Sequence, residues 1–141
     1  MSQTFTVQVD LTTQIWQDSG DEKFDFHLPG QLIIRNGTAY LSYTEQLPDQ
    51  SDTEVRFKLK PQQVGLTRTN ENTTHLSFKA QQDQETVYQT AAGPMVLNTY
   101  TTGLDLALDQ AKGAGQLLLE YVLSSQGQVV GRYRVDLQFK P

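Results

Sequence analysis

The 141-residue chain contains no cysteine, which excludes disulfides and thiolate chemistry. It also has no long apolar run. No stretch approaches the roughly 20 residues that a helix needs to span a bilayer. The start, Met1 to Val9, lacks a basic segment followed by an apolar one, so no signal peptide is read there. A soluble cytoplasmic protein is the expectation. Basic residues are scarce, 11 against 16 acidic, and the formal net charge is −5. Nucleic-acid binding generally needs a clustered basic face, and none is visible. Arg56, Lys58 and Lys60 do share one strand face, but three charges there read as solvated or edge-protecting. Helical spacing is nearly absent too. The one helical candidate is a turn around Asp109 to Lys112.

What the chain does have is a period of two. Near the C-terminus Val129, Gly131, Tyr133, Val135, Leu137 and Phe139 alternate with Val130, Arg132, Arg134, Asp136 and Gln138. Such alternation places one set on the buried face of a pleated strand and the other mostly in water. Polar content fits the same picture. The 16 threonines suit pleated surfaces through their branched Cβ, and the 18 glutamines rarely fall in register with the apolar positions.

The alternation and the turn residues divide the chain into about ten short strands. The first is expected from Thr4 to Trp16, with Phe5, Val7, Val9, Leu11 and Ile15 on one face. Phe24, Phe26 and Leu28 continue it after a turn, until Pro29-Gly30 breaks the run. Asn36-Gly37 is a strong hairpin signal, because both residues tolerate positive φ. Glu45 to Thr53 reads as a mobile loop. Val55, Phe57 and Leu59, then Val64 and Leu66, then Leu76 and Phe78 give three more strands. Met95 to Thr102 and Leu104 to Leu108 are separated by Gly103, and the last hairpin turns at Ser124 to Gly127. Turns at such regular spacing predict an all-β fold, a single-domain up-and-down antiparallel barrel over residues 1–141. Closure into a barrel removes the exposed edges of so long a sheet. The expected core contains Phe5, Val7, Val9, Phe24, Phe26, Phe57, Leu66, Phe78, Leu119, Tyr121, Tyr133, Val135 and Leu137.

Several local patterns are more specific. Tyr40-Leu41-Ser42-Tyr43 follows the Asn-Gly turn, and Leu66-Thr67-Arg68 lies in a middle strand. Tyr88-Gln89-Thr90 precedes Gly93, and Gly115 leads into Leu117, Leu119 and Tyr121. With Gly131 and Tyr133 as weaker matches, this order resembles the YwiB-like family over nearly the whole chain. Those are small uncharacterised bacterial proteins with a calycin-like barrel. The resemblance implies the fold, with a ligand-binding tendency borrowed from other calycins by analogy. It implies no activity. Two departures stand out: Ala91 and Ala92 replace a usual proline and aromatic, removing bulk near a barrel mouth, and Asn70 replaces a glycine. Asn tolerates the left-handed region, so that second change is mild.

Residues with chemical potential are few. His27 and His75 fall out of phase with their apolar neighbours and should face solvent. Asp25 and His27 share a face, but a metal site needs three or four ligands, so no metal and no cofactor is expected. Asp105, Asp109 and Glu120 point outward, and no shielded carboxylate pair or Ser-His-Asp set can be placed. The expectation is therefore not an enzyme. Arg68 differs. Continuing the alternation of Val64 and Leu66 puts it on the apolar face, where a guanidinium needs a partner. It either anchors the carboxylate or phosphate of a small apolar or amphipathic ligand, aided by Tyr88, Tyr121 or Tyr133, or it is a strand-end arginine that reaches solvent or pairs with a nearby acid. Long side chains snorkel readily, which favours the second role. A barrel of about eight strands can also be filled entirely by side chains. An interaction protein meeting a partner through its outer face is thus the alternative to ligand binding.

Overall fold

The computed structural model describes residues 2–46, 51–90 and 92–141, with the backbone alone at 88–90. Its strands are β1 (Ser2–Gln17), β2 (Gly20–Arg35), β3 (Thr38–Glu45), β4 (Thr53–Lys60) and β5 (Gln63–Thr69). The second half contributes β6 (Thr73–Lys79), β7 (Asp83–Thr90), β8 (Gly93–Asp109), β9 (Ala114–Ser125) and β10 (Gln128–Lys140). All pairings are antiparallel, in the order β6-β5-β4-β3-β2-β1-β10-β9-β8-β7. This is the expected all-β, up-and-down, nearly closed barrel. The terminal strands β1 and β10 pair in mid-sheet, Val9 opposite Phe139 and Ile15 opposite Tyr133. The seam falls mid-chain, between β6 and β7.

At the seam the two strands are joined by a turn rather than by a ladder. Gln82 N donates to Lys79 O at 3.1 Å, and Gln81 N donates to Thr101 O at 2.7 Å. The turn is thereby tied to β8 at the bulge between Thr101 and Gly103. Two hairpin turns, at Asn36-Gly37 and Gln126-Gly127, have positive φ at both central residues. That is the turn geometry whose twist matches the flanking strands.

Apolar inward positions fill one end of the barrel. Val9, Leu32, Leu41, Leu59, Val64, Phe78, Leu117, Leu119 and Leu137 are fully buried there. Of the expected core, Phe5, Phe26 and Tyr133 are partly buried against it. Phe24 is only half-buried and stands apart from the cluster. Its place near the free end of the β1–β2 hairpin explains this, because no third strand covers it.

Other expectations are corrected. Pro29-Gly30 does not break a strand, and β2 runs straight through it. Pairing of β2 with β3 ends at Gly30 opposite Tyr43, so Pro29 sits where β2 has β1 as its one neighbour. Proline is tolerated at such an edge. Gly103 likewise marks a bulge inside one long β8 rather than a boundary. The alternation in β10 begins at Gly131. A bulge between Val129 and Gly131 shifts the phase and leaves Val129 63% exposed. Around Asp109 there is one closed turn, with Gly113 N donating to Asp109 O at 3.0 Å, and no helix. No helix among the described residues is long and apolar enough to cross a membrane. The loop expected from Glu45 to Thr53 is shorter, since Glu45 closes β3 and Thr53 opens β4; residues 47–50 lie outside the described part.

Candidate ligand site at the barrel mouth

Opposite the packed end the strands end at different heights. The β3–β4 and β5–β6 strands are short there, while β1, β2, β8, β9 and β10 are longer. Arg68 stands at this rim, on the inward face as the alternation predicts. Its Nη2 lies 2.6 Å from Glu45 Oε1. The two charges differ in environment: the glutamate side chain is 5% exposed and the arginine 43%. No aligned donor reaches that carboxylate oxygen among the described residues, so the contact is ionic rather than a formed hydrogen bond.

A cavity of about 660 Å³ opens beside Arg68. Leu76, Leu97 and Leu123 supply its apolar wall, and Ser51, Thr53 and Asn70–Asn72 its polar rim. Asn70 ties the rim together. Its Nδ2 donates to Ser51 O at 3.2 Å and to Thr53 Oγ1 at 3.1 Å, while Ser51 Oγ donates to Asn70 Oδ1 at 2.7 Å. Its φ is not positive, so this bonding, rather than tolerance of the left-handed region, is what an asparagine contributes here.

Three hydroxyls of the interior lie outside this cavity lining. Tyr43 OH, Thr99 Oγ1 and Thr101 Oγ1 are buried without a hydrogen-bond partner among the described residues. Burial, reinforced by the negative charge of Glu45, pushes the Tyr43 hydroxyl far above its ordinary ionisation range, with Arg68 opposing. Tyr121 is shifted the same way by burial and then by Tyr133, again opposed by Arg68. The Tyr121 and Tyr133 rings stack in parallel at 4.9 Å, and Phe78 packs on Tyr121 at 4.6 Å.

Of the four residues singled out from sequence, Arg68 lines the cavity, while Tyr121 and Tyr133 stack on each other and are not among its lining residues. Tyr88 pairs through its backbone with Met95, and its side chain lies outside the described part, as does Ala91 altogether. Sequence reasoning missed Glu45 by assigning it to a loop. The signal was present, because Leu41, Tyr43 and Glu45 continue one alternation. The histidines are outward as expected. His27 Nδ1 meets Asp10 Oδ1 at 2.7 Å, and His75 Nδ1 meets Thr67 Oγ1 at 2.9 Å. No three His, Asp or Glu side chains gather into a metal cluster among the described residues.

A model of a domain of unknown function, DUF1934, matches residues 9–137. The chain belongs to the DUF1934 family. Its fold is also that of a solved member of the structural record, the ywiB protein from Bacillus subtilis, at a TM-score of 0.82 and 18% identity. That superposition covers 97% of this chain and 92% of the other. At this identity it speaks for the fold alone. No curated protein matches the sequence significantly. In this DUF1934 chain the mouth presents one half-exposed guanidinium, three leucines and a polar rim.

Proposed function

We propose that the barrel mouth binds a small amphipathic molecule, its carboxylate head on Arg68 and its apolar part against Leu76, Leu97 and Leu123. The carrying observation is the half-exposed Arg68 beside a cavity of about 660 Å³. A guanidinium has five donors in a planar fork. One Nη group faces Glu45, which leaves others for a ligand. The cavity volume lies within the range of small-molecule sites, about 300–1,000 Å³. The packed opposite end limits ligand length, so a short acid suits the site better than a long lipid running down the barrel axis. The polar rim of Ser51, Thr53 and Asn70 beside Arg68 favours a ligand with a polar head over a purely apolar one.

Binding in this reading involves no catalysis and is taken to occur in the cytoplasm. Analogy with ligand-binding calycins supports the same view. The alternative, an interaction protein with a side-chain-filled barrel, draws on the packed half of the interior. Calorimetric titration with short and medium-chain carboxylates and their matching alcohols separates the two. Arg68→Ala should weaken carboxylate binding about tenfold to hundredfold, the loss of a charge-assisted hydrogen bond of about 1.5–3 kcal/mol, and leave the alcohols nearly unchanged. Absence of binding by every probe would favour the filled barrel, and equal loss for both classes would point to damaged packing rather than a carboxylate anchor.

A further inference from the structure

The β1–β2 hairpin outruns its neighbour. β2 pairs with β1 along its full length, Gly20 to Arg35, but with β3 over Gly30 to Arg35 alone. Residues Gly20 to Pro29 therefore present a free strand edge among the described residues. Such an edge is a row of unpaired N–H and C=O groups ready to pair with another chain. It also borders open space: a groove of about 1030 Å³ lies in the notch beyond it, with Asp25 to Gln31 on one wall and Ser42, Thr44 and Arg56 on the other.

The edge is self-complementary. We propose that two copies of this chain associate by antiparallel pairing of this β2 edge across a twofold axis at Phe24. Opposed residues then sum to 48 in sequence number, so Gly20 faces Leu28 and the free edge is used as far as Leu28. The register stops one residue short of Pro29, whose missing N–H could not join a ladder. Directly opposed residues of antiparallel strands share a face. On the outer face Lys23 meets Asp25 of the partner subunit, and Asp21 meets His27 of the partner subunit, each pair occurring twice by symmetry. On the inner face Phe24 meets its own symmetry mate, which covers the aromatic that the isolated barrel leaves half-exposed. Glu22 falls opposite Phe26 near the hairpin end, where it is already solvated.

The outward side chains are held in place for this. Thr12 Oγ1 donates to Asp25 Oδ1 at 2.7 Å, and Asp10 holds His27 at 2.7 Å, both across the β1–β2 ladder. The side-chain pairs of the dimer extend these rows by one strand on each side. Shifting the axis to Asp25 would set Asp25 against itself and lose both complementary pairs. The partner's hairpin turn at 18–19 reaches to Pro29-Gly30, at the head of the groove. An isologous edge pairing of this kind closes after two copies and occupies the β2 edge of both.

The test is a sedimentation-velocity concentration series on the full chain, with Lys23→Asp, Asp25→Lys and the double exchange. The wild type should dimerise reversibly. Each single reversal creates two like-charge oppositions and should raise the dimer dissociation constant roughly tenfold or more. The double exchange should restore association to within about threefold. Both sites are exposed, so unchanged circular dichroism verifies folding of every variant. Hydrogen exchange should show amides within Gly20 to Leu28 gaining protection as concentration rises. A wild type monomeric up to millimolar concentration would overturn the proposal. So would a dimer indifferent to the charge exchange, or edge amides already protected in dilute monomer.

Discussion

Arg68 and Glu45 form an ion pair across an intervening strand, with Nη2 and Oε1 2.6 Å apart and β4 between their own strands. The acid is buried and the base half-exposed. This asymmetry matters for both stability and binding, because the arginine can turn to water and the glutamate cannot.

Arg68→Met should therefore cost more than Glu45→Gln. Removing the arginine strands a buried carboxylate, which in a fully buried pair costs about 3–5 kcal/mol; with the arginine half in solvent, roughly 1–3 kcal/mol is expected. Removing the glutamate charge leaves an arginine free to hydrate, at about 1 kcal/mol or less. Urea unfolding of the two variants, with the double variant closing the cycle, measures the difference. A costlier Glu45→Gln would contradict the assignment of the acid as the trapped partner.

The barrel should lose stability in alkali. Tyr43 and Tyr121 are both held neutral above the ordinary value of 10.0, chiefly by burial. Below that pH the folded and unfolded chains both keep these protons, and the stabilisation is fully present. Above it the unfolded chain releases protons that the folded chain retains, so stability falls as pH rises. The slope approaches about 1.4 kcal/mol per pH unit for each tyrosine. Tyrosinate absorbance from these two of the six tyrosines should appear together with unfolding, and removal of one by Tyr→Phe should reduce the slope by about half.

Two glycines separate close approach from mere strand position. A Cβ on Gly30 would stand 2.7 Å from Val9 Cγ2 and 2.9 Å from the Ser42 carbonyl oxygen. One of these is backbone and cannot rotate away, so Gly30→Ala should cost about 1–3 kcal/mol. At Gly65 the nearest atom is Lys58 Cβ at 3.6 Å. Gly65→Ala should be neutral or slightly stabilising, since an ordinary strand gains from a side chain. Melting temperatures of the two variants moving alike would refute the close-packing account.

Phe78 holds the seam. It is fully buried on β6 and packs on Tyr121 of β9 at 4.6 Å, joining strands that no ladder connects. Phe78→Leu should cost roughly 1–2 kcal/mol and Phe78→Ala about 3–5 kcal/mol. Hydrogen exchange should quicken first in β6 and β7, ahead of β1 and β10, if the seam is the weak line of the barrel.

The alternation of apolar residues and the turn chemistry were enough to predict the all-β barrel and its strand succession. Side-chain period and turn φ are local properties, so residues such as Leu137 and Asn36 carried that information by themselves. The same alternation put Arg68 on the inner face, and would have put Glu45 there had it been followed two residues further. Tertiary structure decided the rest. Pro29-Gly30 looked like a strand end until the pairing of β2 with β3 proved to end beside it, and Val129 looked inward until a bulge shifted the phase. The pairing of Arg68 with Glu45, the seam at β6–β7 and the free edge of β2 depend on strand lengths and on closure. Those are set by contacts between residues far apart in the chain, where no local pattern reaches.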